Sequence, residues 1–182
     1  MRMRFAAALL LLALVPGAAR ATSLGIGVGA FGGINYPVLM DNAKTGAIYG
    51  FRAPIRVLPL ITIEPFWQSS TLGDANETFG ALGSQTRDGG QFSSYGANVA
   101  LTAMGSGLAV FPYVGIGSGT YKQSGVSDIT KTTYDFGLGL MFKVLPYTAL
   151  DIRGQMDALI TSDTSRKFAS ATAGLTYRLP VH

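Results

Sequence analysis

The clearest pattern in this chain is the alternation of apolar and polar residues in its last third. In the segment YDFGLGLMFKV (134–144), every even position is apolar, whereas the odd positions include Asp135 and Lys143. The segment LDIRGQMDAL (150–159) continues the alternation, and its charged residues all fall on one face. Successive side chains of a β-strand point to opposite faces, so a period of two predicts strands with one apolar and one charged face.

The same period recurs along the chain and predicts eight strands, at 24–36, 46–57, 60–70, 92–104, 109–121, 132–144, 148–160 and 167–179. Strands of this length suit a tilted bilayer crossing, which needs about 9–11 residues. Tight turns such as Leu58-Pro59 and Leu145-Pro146 follow the even strands, and longer polar connections follow the odd ones. This segregation of loop lengths is typical of an all-β, eight-stranded antiparallel up-and-down transmembrane barrel, with its long loops outside the cell.

The predicted outer face of these strands carries no charge. It comprises Leu24, Ile26, Val28, Tyr49, Phe51, Ile55, Ile61, Ile63, Trp67, Tyr95, Val99, Leu101, Val114, Ile116, Leu175, Tyr177 and Leu179. An Arg or Lys facing lipid at mid-depth costs about 2–4 kcal/mol, so an uncharged face is what a transmembrane barrel requires. A helical membrane protein is disfavoured, because the uncharged stretch 92–121 is rich in glycine and contains Pro112.

Residues 1–21 have the features of a cleaved signal peptide. Arg2 and Arg4 precede an apolar run that ends at Pro16-Gly17, and Ala19-Arg20-Ala21 is a cleavage site of the A-x-A type. We therefore expect residues 22–182 to form one barrel domain. Without the three arginines of the leader, 11 basic and 10 acidic residues remain, which removes the case for nucleic acid as a partner. The chain has no cysteine.

The inward face is predicted to carry nine charged residues, namely Arg52, Arg56, Glu64, Asp135, Lys143, Asp151, Arg153, Asp157 and Arg178. An eight-stranded barrel is only wide enough to be filled by its own side chains. Unpaired charges away from water are costly, so this nearly balanced set predicts a packed charge network. The alternative is a narrow path for small solutes or ions.

No residue pattern predicts a catalytic, cofactor or metal site. The single histidine, His182, lies outside every predicted strand, and a Ser-His-Asp arrangement needs a histidine held by an orienting group. Asp151 and Asp157 are six residues apart on one strand, roughly 20 Å at the usual rise, which is too far for a glycosidase pair. The sequence therefore indicates a non-enzymatic protein without cofactors.

With these features the chain resembles the small eight-stranded outer-membrane β-barrel superfamily, which includes the OmpA transmembrane domain and OmpX. The resemblance covers residues 22–182. Its sharpest match is the family's assembly signal, here formed by Gly174, Tyr177 and Leu179, although the chain continues with Pro180-Val181-His182 where the family usually ends on an aromatic residue. The resemblance implies insertion by the barrel assembly machinery into the outer membrane of a Gram-negative bacterium, in contact with lipid and lipopolysaccharide.

The family's roles include envelope structure, surface adhesion and lipid A modification. The lipid A-modifying branches use a histidine on a strand or loop, which this chain lacks, so a lipid A-modifying enzyme is the least favoured reading. We expect a structural or surface-interaction protein that contacts an extracellular ligand through its loops, with a narrow pore as the alternative. The longest connection, 71–91, offers Leu72, Phe79 and Leu82 as candidate contacts, because long loops on rigid scaffolds tend to carry function.

Overall fold

A computed structural model describes residues 25–38, 44–78, 84–104, 108–161 and 165–179. Twelve strands lie in these ranges: β1 Gly25–Val38, β2 Gly46–Arg52, β3 Ile55–Arg56, β4 Ile61–Thr71, β5 Ala75–Thr78, β6 Ser84–Arg87, β7 Gln91–Leu101, β8 Ala103–Met104, β9 Leu108–Gln123, β10 Val126–Leu145, β11 Thr148–Leu159 and β12 Arg166–Arg178. The predicted signal peptide, residues 1–21, lies outside the described residues and stays a prediction.

Ten of these strands form one closed antiparallel barrel with eight strand positions. β2 and β3 together form the second barrel strand and β7 and β8 form the fourth, while the other six positions are single strands, namely β1, β4, β9, β10, β11 and β12. Each barrel strand pairs with the next along the chain, and β1 pairs with β12 over Gly27–Val38 to close the barrel. The predicted fold class is therefore confirmed.

The break between β2 and β3 has a local cause. Pro54 has no backbone N–H, so it cannot contribute a donor to a ladder. The surrounding groups are paired all the same, since the amide of Ala53 donates to the carbonyl of Pro65 at 2.9 Å and the carbonyl of Pro54 accepts from Gly27 at 2.8 Å. The second barrel strand therefore continues past Pro54.

The apolar side chains alternate outward, as predicted. Val28, Phe51, Tyr95, Val114 and Leu175 are each more than half exposed, while their neighbours in sequence point into the barrel. Leu24, from the predicted outer set, lies outside the described residues. No helix among the described residues is long and apolar enough to cross a membrane.

The two ends of the barrel differ, and we call them the turn end and the loop end. At the turn end, the Val57–Ile61 connection is closed by backbone hydrogen bonds, and Pro146-Tyr147 joins β10 to β11. At the loop end, the connection 71–91 contains a separate antiparallel ribbon formed by β5 and β6. The sequence predicted a long polar loop here and no strands, and each strand of the ribbon has only four residues, too few for a period of two to stand out.

The connection 122–131 was predicted to be a loop, and this was wrong. β9 and β10 continue beyond the barrel wall as a hairpin that turns at Ser124-Gly125, where Gly125 has a positive φ of 79°. The segment Val126–Thr133 is rich in β-branched residues, which favour strands. Elsewhere the predicted strand ends agree with the structure to within two residues.

Candidate functional site

Arg153 on β11 is the centre of a buried ion-pair cluster in the middle of the barrel. Its two terminal nitrogens donate to both carboxylate oxygens of Glu64 on β4, at 2.5 and 2.8 Å. Its Nε donates to Oδ1 of Asp151 at 3.2 Å. All three side chains are buried. A bidentate guanidinium–carboxylate pair of this kind fixes both strands in one orientation.

Arg52 completes this cluster from β2. Its Nη2 lies 3.0 Å from Oδ1 of Asp151, an ion-pair contact, and its guanidinium packs over the ring of Phe31 at 4.4 Å. Oδ2 of Asp151 accepts from the hydroxyl of Thr176 at 3.2 Å. The cluster thus holds two arginines and two carboxylates and has no formal net charge.

A second polar layer lies between this cluster and the loop end. Oδ1 of Asp157 accepts from the side-chain amides of Gln68 and Gln155, at 2.9 and 2.7 Å. Oε1 of Gln155 in turn accepts from the hydroxyl of Tyr113 at 3.0 Å. Asp135 stands directly opposite Asp157 in the β10–β11 register, and the two buried carboxyl groups interact with each other.

Apolar side chains seal the barrel at the loop end. We call this group the loop-end plug; it consists of Leu72, Phe92, Tyr121, Leu159 and Phe168, all at most 6% exposed. The rings of Phe92 and Phe168 stack with centroids 4.4 Å apart, and Tyr121 lies 6.3 Å from Phe168. The guanidinium of Arg166 covers Tyr121 at 4.1 Å.

Glycines opposite the large rings make this filling geometrically feasible. A Cβ on Gly139 would collide with the ring of Phe111, and one on Gly137 would collide with the ring of Tyr113. Both glycines belong to the alternating segment of β10. The inward glycines of the sequence are therefore the space into which the aromatic side chains of β9 fit.

The structure brings together six of the nine predicted lumen charges, and the other three lie near the turn end. Arg52, Glu64, Asp135, Asp151, Arg153 and Asp157 are buried. Arg56 and Arg178 are half-buried, and Lys143 is exposed. The β10–β11 register shifts between Lys143 and Leu145, at the end of β10. Lys143 therefore does not belong to the buried network.

Arg56 and Arg178 line a chamber of about 290 Å³ at the turn end of the barrel. Glu64 and Arg153 of the ion-pair cluster also line it, and exposed Tyr147 and Leu179 lie at its rim. Deeper in the barrel, the space beside Arg52, Gln68 and Gln155 amounts to only about 10 Å³, about the minimum for a single water molecule.

Asp88 braces the loop-end surface. Its Oδ2 accepts from the hydroxyl of Ser124 at 2.6 Å, its Oδ1 accepts from the amide of Gly90 at 3.0 Å, and its backbone carbonyl accepts from Gln123 at 2.8 Å. Hydrogen bonds from Ser124 and Gly90 lower the pKa of the Asp88 carboxyl. These contacts tie the base of the β5–β6 ribbon to the β9–β10 hairpin.

Leu72 was predicted to be a surface contact, and this was wrong. Its side chain is 6% exposed and belongs to the loop-end plug, because the chain turns inward where β4 ends and the amide of Leu72 donates to the carbonyl of Gly90 at 2.9 Å. Phe79 and Leu82 lie outside the described residues, so their role stays a prediction.

The residues of the predicted assembly signal lie on both faces of β12. Tyr177 and Leu179 are exposed on the outer face, and Gly174 faces inward, where a Cβ would crowd Nη2 of Arg52. The predicted lumen charge network did not include Gln68 or Gln155, and no role was predicted for Asp88. The glutamines share the inward parity of the charged residues on their strands, which is a signal that was available; nothing in the local sequence pointed to Asp88. Among the described residues, no cluster of His, Cys, Asp and Glu could hold a metal ion.

No family model matches the sequence, and no curated protein matches it. Solved structures do match. Neisserial surface protein A has a TM-score of 0.61 at 13% identity, with 87% of this chain and 98% of that chain covered. A major outer membrane protein from Thermus thermophilus has a TM-score of 0.56 at 13% identity, over 87% of this chain and 100% of that chain.

The attachment invasion locus protein Ail of Yersinia pestis has a TM-score of 0.53 at 14% identity, over 87% of this chain and 100% of that chain. A second structure of Ail contains the heparin analogue sucrose octasulfate. At these identities the likeness concerns the fold. The chain therefore has the fold of the small eight-stranded outer-membrane β-barrels, as shown by its closed barrel, its apolar exterior and these structural neighbours.

Proposed function

We propose that this protein is a non-enzymatic outer-membrane barrel with a closed lumen, which binds an extracellular partner through its braced loop-end surface. The observation that carries the proposal is the combination of a sealed interior with a connection held in place outside it. The loop-end plug closes the barrel behind this surface, and Asp88 holds the ribbon above it.

The interior supports a scaffold rather than a pore. A solute entering at the loop end meets five apolar side chains, then the amides around Asp157, then the ion pairs of Arg153. Removing one partner from a buried charge pair is costly, so the cluster does not part readily to let a solute through. The chamber at the turn end stops at Arg153 and Glu64.

The loop-end surface is preorganised by contacts between separate connections. Lys44, in the connection between β1 and β2, and Gly73 exchange two backbone hydrogen bonds of 3.0 Å. The carbonyl of Gly89 accepts from the hydroxyl of Tyr121 at 2.8 Å, and Asp88 binds Ser124. A surface that is already ordered loses less conformational entropy on binding, which favours a recognition role for these connections.

The comparison with Ail supports the presence of an extracellular ligand site but does not identify the ligand. That protein binds a heparin analogue, so a barrel of this fold can carry an external ligand site. For this chain we propose the barrel assembly machinery as the partner in biogenesis, recognising Gly174, Tyr177 and Leu179, and lipid with lipopolysaccharide as the surroundings of the exposed apolar face.

The geometry of the lumen carboxylates supports a structural role for them. Glu64 and Asp151 are engaged by arginines, and Asp157 by two amides. Carboxylates that are already bound by arginines or amides are poorly placed to transfer protons to a substrate. His182 lies outside the described residues, and no sequence feature gives it an orienting partner.

The test replaces residues 75–87, the β5–β6 ribbon, with a short Gly-Ser turn. The variant keeps Leu72, Gly73 and Asp88, so that the plug and the brace survive, and closure entropy varies only slowly with loop length. We expect cells displaying it to fold the barrel normally but to lose binding to a panel of immobilised glycans that includes heparin. The matched control scrambles residues 75–87 without changing their composition.

Full binding by the ribbon-less variant would contradict the ribbon's role, and equal loss in the scrambled control would confirm that its order of residues matters. Conductance provides the second arm of the test. A closed lumen predicts no steady current through the intact protein in a planar bilayer, whereas a steady current would decide for the pore.

A further inference from the structure

The chamber at the turn end has an excess of positive charge. Its lining includes three arginines, Arg56, Arg153 and Arg178, and one carboxylate, that of Glu64. Both oxygens of Glu64 are taken by Arg153, so this pair neutralises itself. The lining holds two further guanidinium groups, on Arg56 and Arg178.

The two guanidinium groups come from opposite sides of β1. Arg56 is in register with Gly25, and Arg178 is in register with Gly27. Two inter-strand spacings and an offset of two residues along β1 therefore separate their backbones, roughly 12 Å at the usual spacings. Both β1 residues between them are glycines that line the chamber, so no side chain of β1 fills the space between the arginines.

Arg178 is the better placed of the two for a ligand. Its one contact with a described acceptor is Nη2 to the sulfur of Met141 at 3.2 Å, and a thioether is only a weak acceptor. Arg56 has a further interaction of its own, so the inference depends chiefly on Arg178. Thr62 and Thr102 add hydroxyl groups to the lining.

We propose that this chamber is a binding site for a phosphate group. Guanidinium groups present planar forks of donors that match phosphate oxygens, and the hydroxyls of Thr62 and Thr102 supply further donors. The volume of about 290 Å³ lies near the lower end of the range of small-ligand sites, about 300–1,000 Å³. The site is at the opposite end of the barrel from the surface in the proposed function and does not depend on it.

The first experiment titrates inorganic phosphate into the folded barrel in phosphatidylcholine nanodiscs at constant ionic strength. We expect saturable binding that weakens at least tenfold in Arg178→Gln and also falls in Arg56→Gln. Lys143→Gln is the matched control, because it removes one positive charge at the same end from a residue outside the chamber lining. Equal weakening in Lys143→Gln would overturn the site, since it would show a general effect of charge.

The second experiment needs no variant, so it remains decisive if an arginine substitution prevents folding. Phosphate should shift the backbone amide resonances of Gly25 and Gly27, which line the chamber, and leave Gly125 in the distant β9–β10 turn unchanged. Unchanged resonances at Gly25 and Gly27 would exclude free phosphate as the ligand.

Nanodisc composition identifies the source of the phosphate group. Shifts produced by free phosphate in phosphatidylcholine nanodiscs assign the site to a soluble phosphate. Shifts of the same two amides on exchange into phosphatidylglycerol nanodiscs, without free phosphate, assign it to a lipid headgroup. Absence of both responses would exclude the site.

Discussion

Arg153 is the centre of a side-chain cluster that links three strands. It bonds Glu64 on β4 and Asp151 on its own strand, and Asp151 also contacts Arg52 on β2. Its guanidinium further packs against the rings of Phe111 and Tyr113, at 4.9 and 5.3 Å. Losing this group therefore leaves two buried carboxylates with fewer partners.

We predict that Arg153→Leu lowers the free energy of unfolding by about 3–5 kcal/mol, because it strands the carboxylate of Glu64 in the barrel. Urea unfolding in lipid vesicles measures the change. Lys143→Leu, at an exposed position outside the network, should change it by no more than about 0.5 kcal/mol. An unaltered midpoint for Arg153→Leu would show that the ion pairs contribute nothing to stability.

The facing carboxylates Asp135 and Asp157 provide a second residue-scale prediction. Asp157 accepts two amide hydrogen bonds, whereas no amide of the described residues donates to the carboxyl of Asp135. Two buried carboxylates side by side disfavour ionisation of both. Asp135→Asn should therefore raise the unfolding midpoint at neutral pH, whereas Asp157→Leu should lower it by removing the acceptor of the hydrogen bonds from Gln68 and Gln155. A lower midpoint in Asp135→Asn would contradict the view that the carboxyl of Asp135 destabilises the barrel.

At the scale of elements, the β5–β6 ribbon and the β9–β10 hairpin are joined through Asp88. The lowered pKa of this carboxyl means that its ionised form is the one that the fold favours. Its contribution is therefore complete above the ordinary carboxyl pKa and is lost as the pH falls through the lowered pKa. The brace is thus expected to hold at neutral pH and to loosen in acid.

We predict that Asp88→Ala makes the ribbon more mobile without unfolding the barrel. Backbone NMR order parameters for residues 75–87 should fall at neutral pH to the values that the wild-type protein reaches in acid. Asp88→Asn should lose the pH dependence, because an amide does not titrate in this range. Unchanged order parameters in Asp88→Ala would mean that the remaining contacts hold the ribbon alone.

At the scale of the whole molecule, the barrel has an orientation in the membrane. Long connections and the β9–β10 hairpin lie at one end, and the Leu58-Pro59 and Pro146-Tyr147 turns lie at the other. Outer-membrane barrels place their longer loops outside the cell. The loop end is therefore expected to face the exterior.

Labelling of single cysteines tests this orientation, since the native chain has none. Cysteines at Asn76, Val126 and Asp163 should react with a membrane-impermeant reagent on intact cells, whereas cysteines at Pro59 and Pro146 should react only after the outer membrane is opened. The reverse pattern would invert the topology. Asp163 lies outside the described residues, so its placement rests on the sequence prediction.

Sequence alone was sufficient for the eight strands of the barrel and for their outer faces. Each strand must present one face to a different medium, and a period of two records that requirement residue by residue. Val114, Leu175 and the alternating segment of β10 could therefore be assigned to a face without a structure. The extension of β9 and β10 was not predicted, because outside the barrel neither face of a strand meets lipid. The alternation there no longer separates apolar from polar residues.

Tertiary structure alone decided which inward residues act together. Alternation assigns Arg52, Lys143 and Arg153 to the same face, but their partners depend on the register of distant strands and on where the wall ends. Arg153 reaches Glu64, 89 residues away in sequence, whereas Lys143 lies at the end of the wall and is exposed. Leu72 and Asp88 likewise owe their roles to long-range contacts. The face on which a side chain lies is a local property of the strand, so alternation predicts it, whereas a contact between distant strands forms only when the barrel closes.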